Sequence, residues 1–272
     1  MTHRYDPAEY WSSRLSGRFD LVGSGYAALG DRFNRRLYEA RVRALENALK
    51  SLNREFAGAR VLEIGCGTGF YTEYCSRVGV RDYVGLDLTE VSVSRLRERY
   101  PGYRFLQADV GLPIRVIDED FDVVLAADVL FHIIDGRAFT TAIDNAGRWL
   151  RPKGLFIVSD VFPEEDARTA PHCLVRGKGT YQTELERNSL RTLRIEPIFV
   201  VLQPPLSLPS TGWAWRLYSQ SWRIGIPLSR IGVVDMLFPP LLGFLDRWFF
   251  LPLFGGSAPN NKWLLAMKED VA

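Results

Sequence analysis

Val61-Leu62-Glu63-Ile64 runs directly into Gly65-Cys66-Gly67-Thr68-Gly69-Phe70, an apolar stretch followed by three glycines at alternate positions. Such glycines let the backbone turn sharply and approach a ligand with no Cβ in the way. Between a strand and a helix, a loop of this kind holds a nucleotide-like ligand. A dinucleotide loop wants a third small residue at position 70, where this chain has Phe70. Glu63, just inside the strand end, would repel a pyrophosphate but attract a cation. Asp87 closes the next apolar stretch, where a carboxylate offers two acceptor oxygens to the vicinal hydroxyls of a ribose. Asp109 closes the third, placed to accept from an adenine amino group, with Leu88 and Val110 lining the ring faces. These residue types specify a nucleoside that carries positive charge.

The elements that must position them are short apolar strands alternating with amphipathic segments. Strand candidates are 59–65, 82–87, 103–109, 121–128 and 154–160, each separated from the next by enough chain for a helix crossover. Near-continuous apolar strands with such crossovers mean a parallel sheet covered on both faces. Later strands at 194–203 and 261–268 would complete seven. The expected fold is therefore α/β, a Rossmann-like, seven-stranded, mainly parallel sheet with helices on both faces. A helix is expected over Asp31 to Leu52, whose apolar stripe includes Phe33, Leu37, Leu45 and Leu49, and another over Phe70 to Val78. All the acidic positions above fall at carboxyl ends of strands, where open α/β sheets bind ligands. The nucleoside that fits is S-adenosylmethionine (SAM), whose sulfonium and ammonium groups are both cationic.

With these motifs in place, the chain resembles the class I SAM-dependent methyltransferases over most of its length. VLEIGCGTGF is similar to that family's glycine motif, GLDLT to its ribose-binding acidic motif and LQADV to its adenine motif. FDVVLAADVLFHI and RWLRPKGLFIVSD resemble the two motifs that follow. The resemblance implies methyl transfer from SAM with release of S-adenosylhomocysteine. It implies cofactor contacts from Glu63, Gly65, Cys66, Gly67, Gly69, Asp87, Leu88, Asp109, Val110 and Asp128.

Methyl transfer is an in-line displacement, so the protein mainly aligns the acceptor with the C–S bond and excludes water. A hydroxyl or unactivated nitrogen acceptor must also lose a proton, which asks for a base. The chain has three histidines, His3, His132 and His172. His172 is the leading candidate base, since it follows the fifth strand in PHCLVRGKGTY, a stretch this fold places near the cofactor's methyl end. Arg176 and Tyr181, nearby in sequence, could orient an acceptor, as could Tyr26 in the Gly-rich GSGYAALG. His132 is the second candidate, with a structural role as the competing reading. Asp128 and Asp160 end the fourth and fifth strands and should face the crevice, Asp160 joining the catalytic candidates. Some relatives place Mg²⁺ ligands at similar strand ends, but Val161 stands where a ligating Asn would strengthen that case, so no metal site is assigned.

Formal net charge is +2, from 34 basic and 32 acidic residues, which gives no reason to expect a nucleic-acid partner. Cys66, Cys75 and Cys173 form no CxxC spacing and read as reduced thiols, neither a disulfide framework nor a zinc site, in a cytoplasmic protein. The start, MTHRYDPAEYW, lacks the apolar core of a secretory signal, and no apolar run reaches spanning length, so a spanning helix is not expected. Domain boundaries are expected at 1–55 for an N-terminal helical cap, 56–205 for the core, 206–258 for an insertion before the last strand, and 259–272 for that strand. The insertion holds Trp213, Trp215, Trp222 and Trp248, with arginines recurring at 216, 223 and 230, though Pro227 argues against one unbroken helix. Its aromatic lining suits a mid-sized organic acceptor, with the hydroxyl of a sugar or natural product as the primary reading. The same residues could instead serve a membrane surface and a lipid, lipid-linked sugar or quinone acceptor, or a homodimer contact.

Overall fold

The computed structural model describes residues 5–115, 120–206 and 212–270. Its strands are β1 (Arg60–Ile64), β2 (Asp82–Asp87), β3 (Arg104–Gln107), β4 (Phe121–Ala127), β5 (Leu150–Asp160), β6 (Ala167–Ala170), β7 (Cys173–Val175), β8 (Leu190–Pro197) and β9 (Lys262–Lys268). Seven of them make one sheet in the order β3-β2-β1-β4-β5-β9-β8. β1 to β5 pair in parallel, and β9 is antiparallel to both its neighbours. Alternate residues of each strand point to opposite faces, so Val61, Val123 and Ile157 join one core while Leu62, Val124 and Val158 join another. Both faces are covered, as the near-continuous apolar strands require.

Helix α1 (Pro7–Gly17) starts at Asp6, whose carboxylate accepts from Glu9 N at 3.1 Å, and α2 (Leu21–Ser24) is capped in the same way by Asp20. Next, α3 (Asp31–Ser51) buries the expected stripe, including Phe33, Leu37, Leu45 and Leu49, against the first core. Helices α4 (Phe70–Arg77) and α5 (Glu90–Arg99) share that face of the sheet, while α6 (Gly136–Trp149) and α7 (Lys178–Arg187) cover the other. The insertion folds into α8 (Trp213–Leu228), α9 (Gly232–Leu245), one π-turn at Asp246–Phe250, and α10 (Leu251–Phe254). Pro227 lies in the last turn of α8, which ends one residue later.

Four features depart from the sequence expectation. Between β3 and β4 the described residues contain no crossover helix; Asn145 of α6 instead holds that loop, donating to Val110 O (2.9 Å) and Leu112 O (2.8 Å). The strand expected at 194–203 sits earlier, at β8, and residues 198–202 leave the sheet as a largely buried, bending segment. Ile198 N still donates to Asn261 O (3.3 Å), but the amides of residues 200–202 are satisfied by a carboxylate: Asp246 accepts from Val200 N (3.1 Å), Val201 N (2.8 Å) and Leu202 N (2.9 Å). The hairpin β6–β7 was not anticipated. Finally, the expectation that no segment has spanning length fails, because the helical run Gly232–Ser257 has 26 residues and contains an 18-residue stretch of mean hydropathy 1.3, 11 % of it buried. Asp235, Asp246 and Arg247 interrupt the apolar residues of this run, so no uninterrupted apolar stretch of that length stands in the sequence.

Burial pushes the Asp246 carboxyl up to about 6, yet three backbone donors depend on it. Asp246→Ala leaves those amides unpaired and is expected to destabilise the fold by on the order of 3 kcal/mol, read as a lower urea midpoint. Asp246→Asn, which keeps one acceptor oxygen, should lose less.

Candidate active site

The carboxyl ends of β1 to β4 open into one cavity of about 790 Å³, within the size range of small-molecule sites. Sheet order sets its layout. With strands roughly 4.8 Å apart, the sequence β3, β2, β1, β4, β5 places Asp109, Asp87, the glycine loop, His132 and the β6–β7 hairpin in successive positions across the mouth.

The glycine loop needs its glycines for two separate reasons. Gly65 has φ +71° and its added Cβ would lie 2.5 Å from Val129 Cγ2; Gly69 has φ +82° and would meet Leu96 Cδ2 at 2.4 Å. Gly65, Cys66 and Gly67 line the cavity, whereas Gly69 caps α4 beside it. The Cys66 thiol is buried and pushed up by that burial. Asp87 ties the loop to α5: its carboxylate accepts from Gly67 N (2.8 Å), Thr89 N (2.9 Å) and Thr89 Oγ1 (2.7 Å) while facing the cavity. Leu88, Asp109 and Val110 line the next portion, with Asp109 accepting from Gly111 N at 2.8 Å.

Glu63 also reaches the cavity, but its carboxylate accepts from Tyr83 OH, which in turn meets Thr72 Oγ1 at 2.8 Å. Burial, with Asp87 nearby, pushes Glu63 up to about 8. A cation beside it would draw that value down and restore the charge. Tyr83 was missed from the sequence, because a tyrosine within an apolar strand reads as core.

Asp128 stands at the end of β4 with φ +57°. Its carboxylate pairs with Arg41 Nε (2.6 Å) and accepts from Ser159 Oγ (2.6 Å) and Asn261 Nδ2 (2.6 Å). That engagement leaves it lining the cavity but spent on protein partners. Asp160 does not face the cavity. It is fully buried, accepts from Val161 N (2.6 Å) and Tyr181 OH (2.8 Å), and is pushed up to about 7 by burial. Neither carboxylate offers Mg²⁺ a free hard-oxygen ligand set.

Several acceptor candidates also lie away from the cavity lining. Tyr181 is buried beneath Asp160, and Arg176 is buried with its guanidinium 3.8 Å from the Phe139 ring centroid. Both brace α7 and the hairpin against α6. Tyr26 is held by its backbone to Asn34, at 2.8 and 3.0 Å. The lining comes instead from α1, where Pro7, Trp11 and Leu15 share one face at four-residue spacing, and from Tyr5, Arg168 and Pro171. That spacing was a readable signal. The cap is tied to the glycine loop by Ser24 Oγ, 3.0 Å from Thr68 Oγ1 and 3.2 Å from Tyr38 OH.

His172 and His132 are brought together where the β6–β7 hairpin meets the end of β4. Their rings are nearly parallel with centroids 5.6 Å apart; His172 also stacks on Tyr10 at 4.8 Å, and His132 meets Trp11 edge-on at 4.8 Å. Only His132 lines the cavity. Its Nδ1 is 3.0 Å from His172 O, and since a carbonyl can only accept, Nδ1 carries the proton and Nε2 the lone pair. Burial lowers His132 to about 4, and it lowers His172 as well. Cys173 Sγ lies 3.4 Å from His132 Nδ1, and His132, His172 and Cys173 form the one such group of three potential metal ligands among the described residues.

Residues 62–158 match a family described as "Methyltransferase domain". A probable phthiotriol/phenolphthiotriol dimycocerosates methyltransferase of Mycobacterium ulcerans (strain Agy99) is 35 % identical over 113 residues, 40 % of this chain and 42 % of that protein. A ubiquinone biosynthesis O-methyltransferase of Bradyrhizobium diazoefficiens is 33 % identical over 124 residues, 44 % of this chain and 47 % of that one. The match thus spans less than half the length of these relatives. In fold, the N-methyltransferase NodS from Bradyrhizobium japonicum WM9, in complex with S-adenosyl-L-homocysteine, agrees with a TM-score of 0.57 at 17 % identity, covering 97 % of this chain and 100 % of that one. Residues 62–158 are thus a methyltransferase domain, and the fold agrees with that of a methyltransferase of known structure. SAM is the cofactor, and Gly65 to Gly67, Asp87 and Asp109 line the cavity.

Asp87→Ala removes both a cavity-lining carboxylate and the brace on Gly67. S-adenosylhomocysteine affinity, titrated by calorimetry, is expected to fall at least about tenfold, the worth of one charge-assisted hydrogen bond.

Proposed function

We propose that this chain transfers the SAM methyl group to a phenolic hydroxyl of an apolar ring acceptor, with His132 Nε2 taking the proton. The observation that carries this reading is the Nδ1–His172 O hydrogen bond, which fixes the tautomer and leaves the lone pair on a cavity-lining atom. His172 then acts through its backbone as a positioning residue, and its ring stacks behind. The aromatic wall of Tyr5 and Trp11 favours a flat, apolar acceptor.

The low value of His132 bears on the acceptor. A buried imidazole is neutral at every pH well above about 4, so its lone pair is always available, but it is a weak base. It suits a hydroxyl that is itself acidic, as a phenol is, better than an aliphatic sugar hydroxyl. The similarity to a ubiquinone biosynthesis O-methyltransferase supports this over the saccharide reading. The developing oxyanion attacks the methyl carbon as the C–S bond breaks, and the proton stays on Nε2 until it reaches solvent.

Turnover of catechols and prenylated quinols is measured with radiolabelled SAM. His132→Gln should lower kcat by about a hundredfold or more while leaving S-adenosylhomocysteine affinity within experimental error. Activity limited by His132 should fall as pH drops through about 4, because protonation removes the lone pair, and not near the usual histidine range. An unchanged kcat in the variant would exclude His132 as the base.

A further inference from the structure

Helices α8 to α10 carry large apolar side chains on the outside of the molecule. Leu237 is 61 % exposed, Trp248 59 % and Leu253 71 %, and Leu217, Ile224 and Leu241 are exposed with them. Isolated exposed apolar residues are ordinary, but such a set on consecutive helices marks an interaction surface.

The charges of this region divide by direction. Its two carboxylates turn inward: Asp246 serves the amides of residues 200–202, and Asp235 accepts from Arg32 N (3.3 Å) and Phe33 N (3.2 Å) at the start of α3. Its arginines, Arg216, Arg223, Arg230 and Arg247, are all exposed. Among the described residues 212–258, the outward charge is therefore entirely positive. A twofold contact between copies would set these arginines against each other. An anionic bilayer offers the matching pair, hydrocarbon beneath negative headgroups.

The same inward bonds settle how the helices lie. Asp235 and Asp246 pin α9 at both ends, Phe238 and Leu242 pack on the first core, and Trp222 meets Phe33 with ring centroids 5.8 Å apart. Arg230 Nε donates to Ala28 O (3.1 Å), linking the region to the cap beside the cavity. We propose that α8 to α10 lie flat on an anionic lipid bilayer, with Leu237, Trp248 and Leu253 entering the headgroup–acyl boundary. Docking requires nothing of the acceptor and would hold equally for a water-soluble one.

The test is co-sedimentation of the full chain with vesicles of phosphatidylcholine plus phosphatidylglycerol, against phosphatidylcholine alone. Binding is expected on the anionic vesicles, weakening with salt. Leu237→Ser and Trp248→Ser should each lower the partition coefficient about tenfold, and Arg223→Gln about fivefold. Circular dichroism and S-adenosylhomocysteine binding should stay unchanged in all three, which separates lost docking from lost folding. The proposal is overturned if anionic vesicles sediment no protein, or if binding is indifferent to these substitutions. It is equally overturned if analytical ultracentrifugation finds a stable dimer that Leu237→Ser dissociates, which would assign the face to a second copy.

Discussion

A buried guanidinium must be paired, and the pairing of Arg41 with Asp128 is the contact on which the rest of the site depends. Arg41 sits on the otherwise apolar face of α3, with its charge 5.2 Å from the Tyr38 ring and 5.4 Å from Phe199. Among the described residues, the carboxylate at the tip of β4 answers that charge. The same carboxylate collects Ser159 from β5 and Asn261 from the approach to β9, so one side chain joins the cap to three strands of the sheet. Breaking such a pair costs more than its formation contributes, because either partner left alone is a buried, uncompensated charge. The left-handed turn at Asp128 that this pairing holds is what aims Val129 to His132 along the cavity.

The division of labour follows the chemistry of the cofactor. A sulfonium methyl is already a strong electrophile, so the protein supplies orientation and a dry enclosure rather than activation. Strand ends shape the cavity: Asp87 bridges the glycine loop and α5, and Asn145 fixes the loop after β3. The acceptor side is walled by a helix and a hairpin whose residues touch one another through aromatic rings, a surface that can change its lining without disturbing the sheet.

Polar groups in the insertion obey the same rule of satisfaction as those in the site. Asp246 replaces a missing strand for residues 200–202, and Asp235 caps α3, so both acids are consumed in holding the helices down. The positive and apolar outer face is what remains once these internal bonds are made.

Much of this molecule was legible in the residues alone. Strand periodicity, glycine spacing and acidic residues at strand ends are local signals, and they determined the parallel sheet, the cofactor, and residues that line the cavity, among them Glu63, Asp87, Asp109 and Val110. The roles of individual polar side chains were not local. Asp160, Tyr181 and Arg176 sit in sequence where acceptor contacts are expected, yet packing of α7 against α6 buries them together away from the cavity. His132 and His172 are 40 residues apart, and only the hairpin β6–β7 brings the carbonyl of one to the ring of the other. Whether a histidine offers a lone pair depends on what its other nitrogen bonds to. That partner is chosen by the tertiary fold, because it lies on a different element, and no spacing within the chain encodes it.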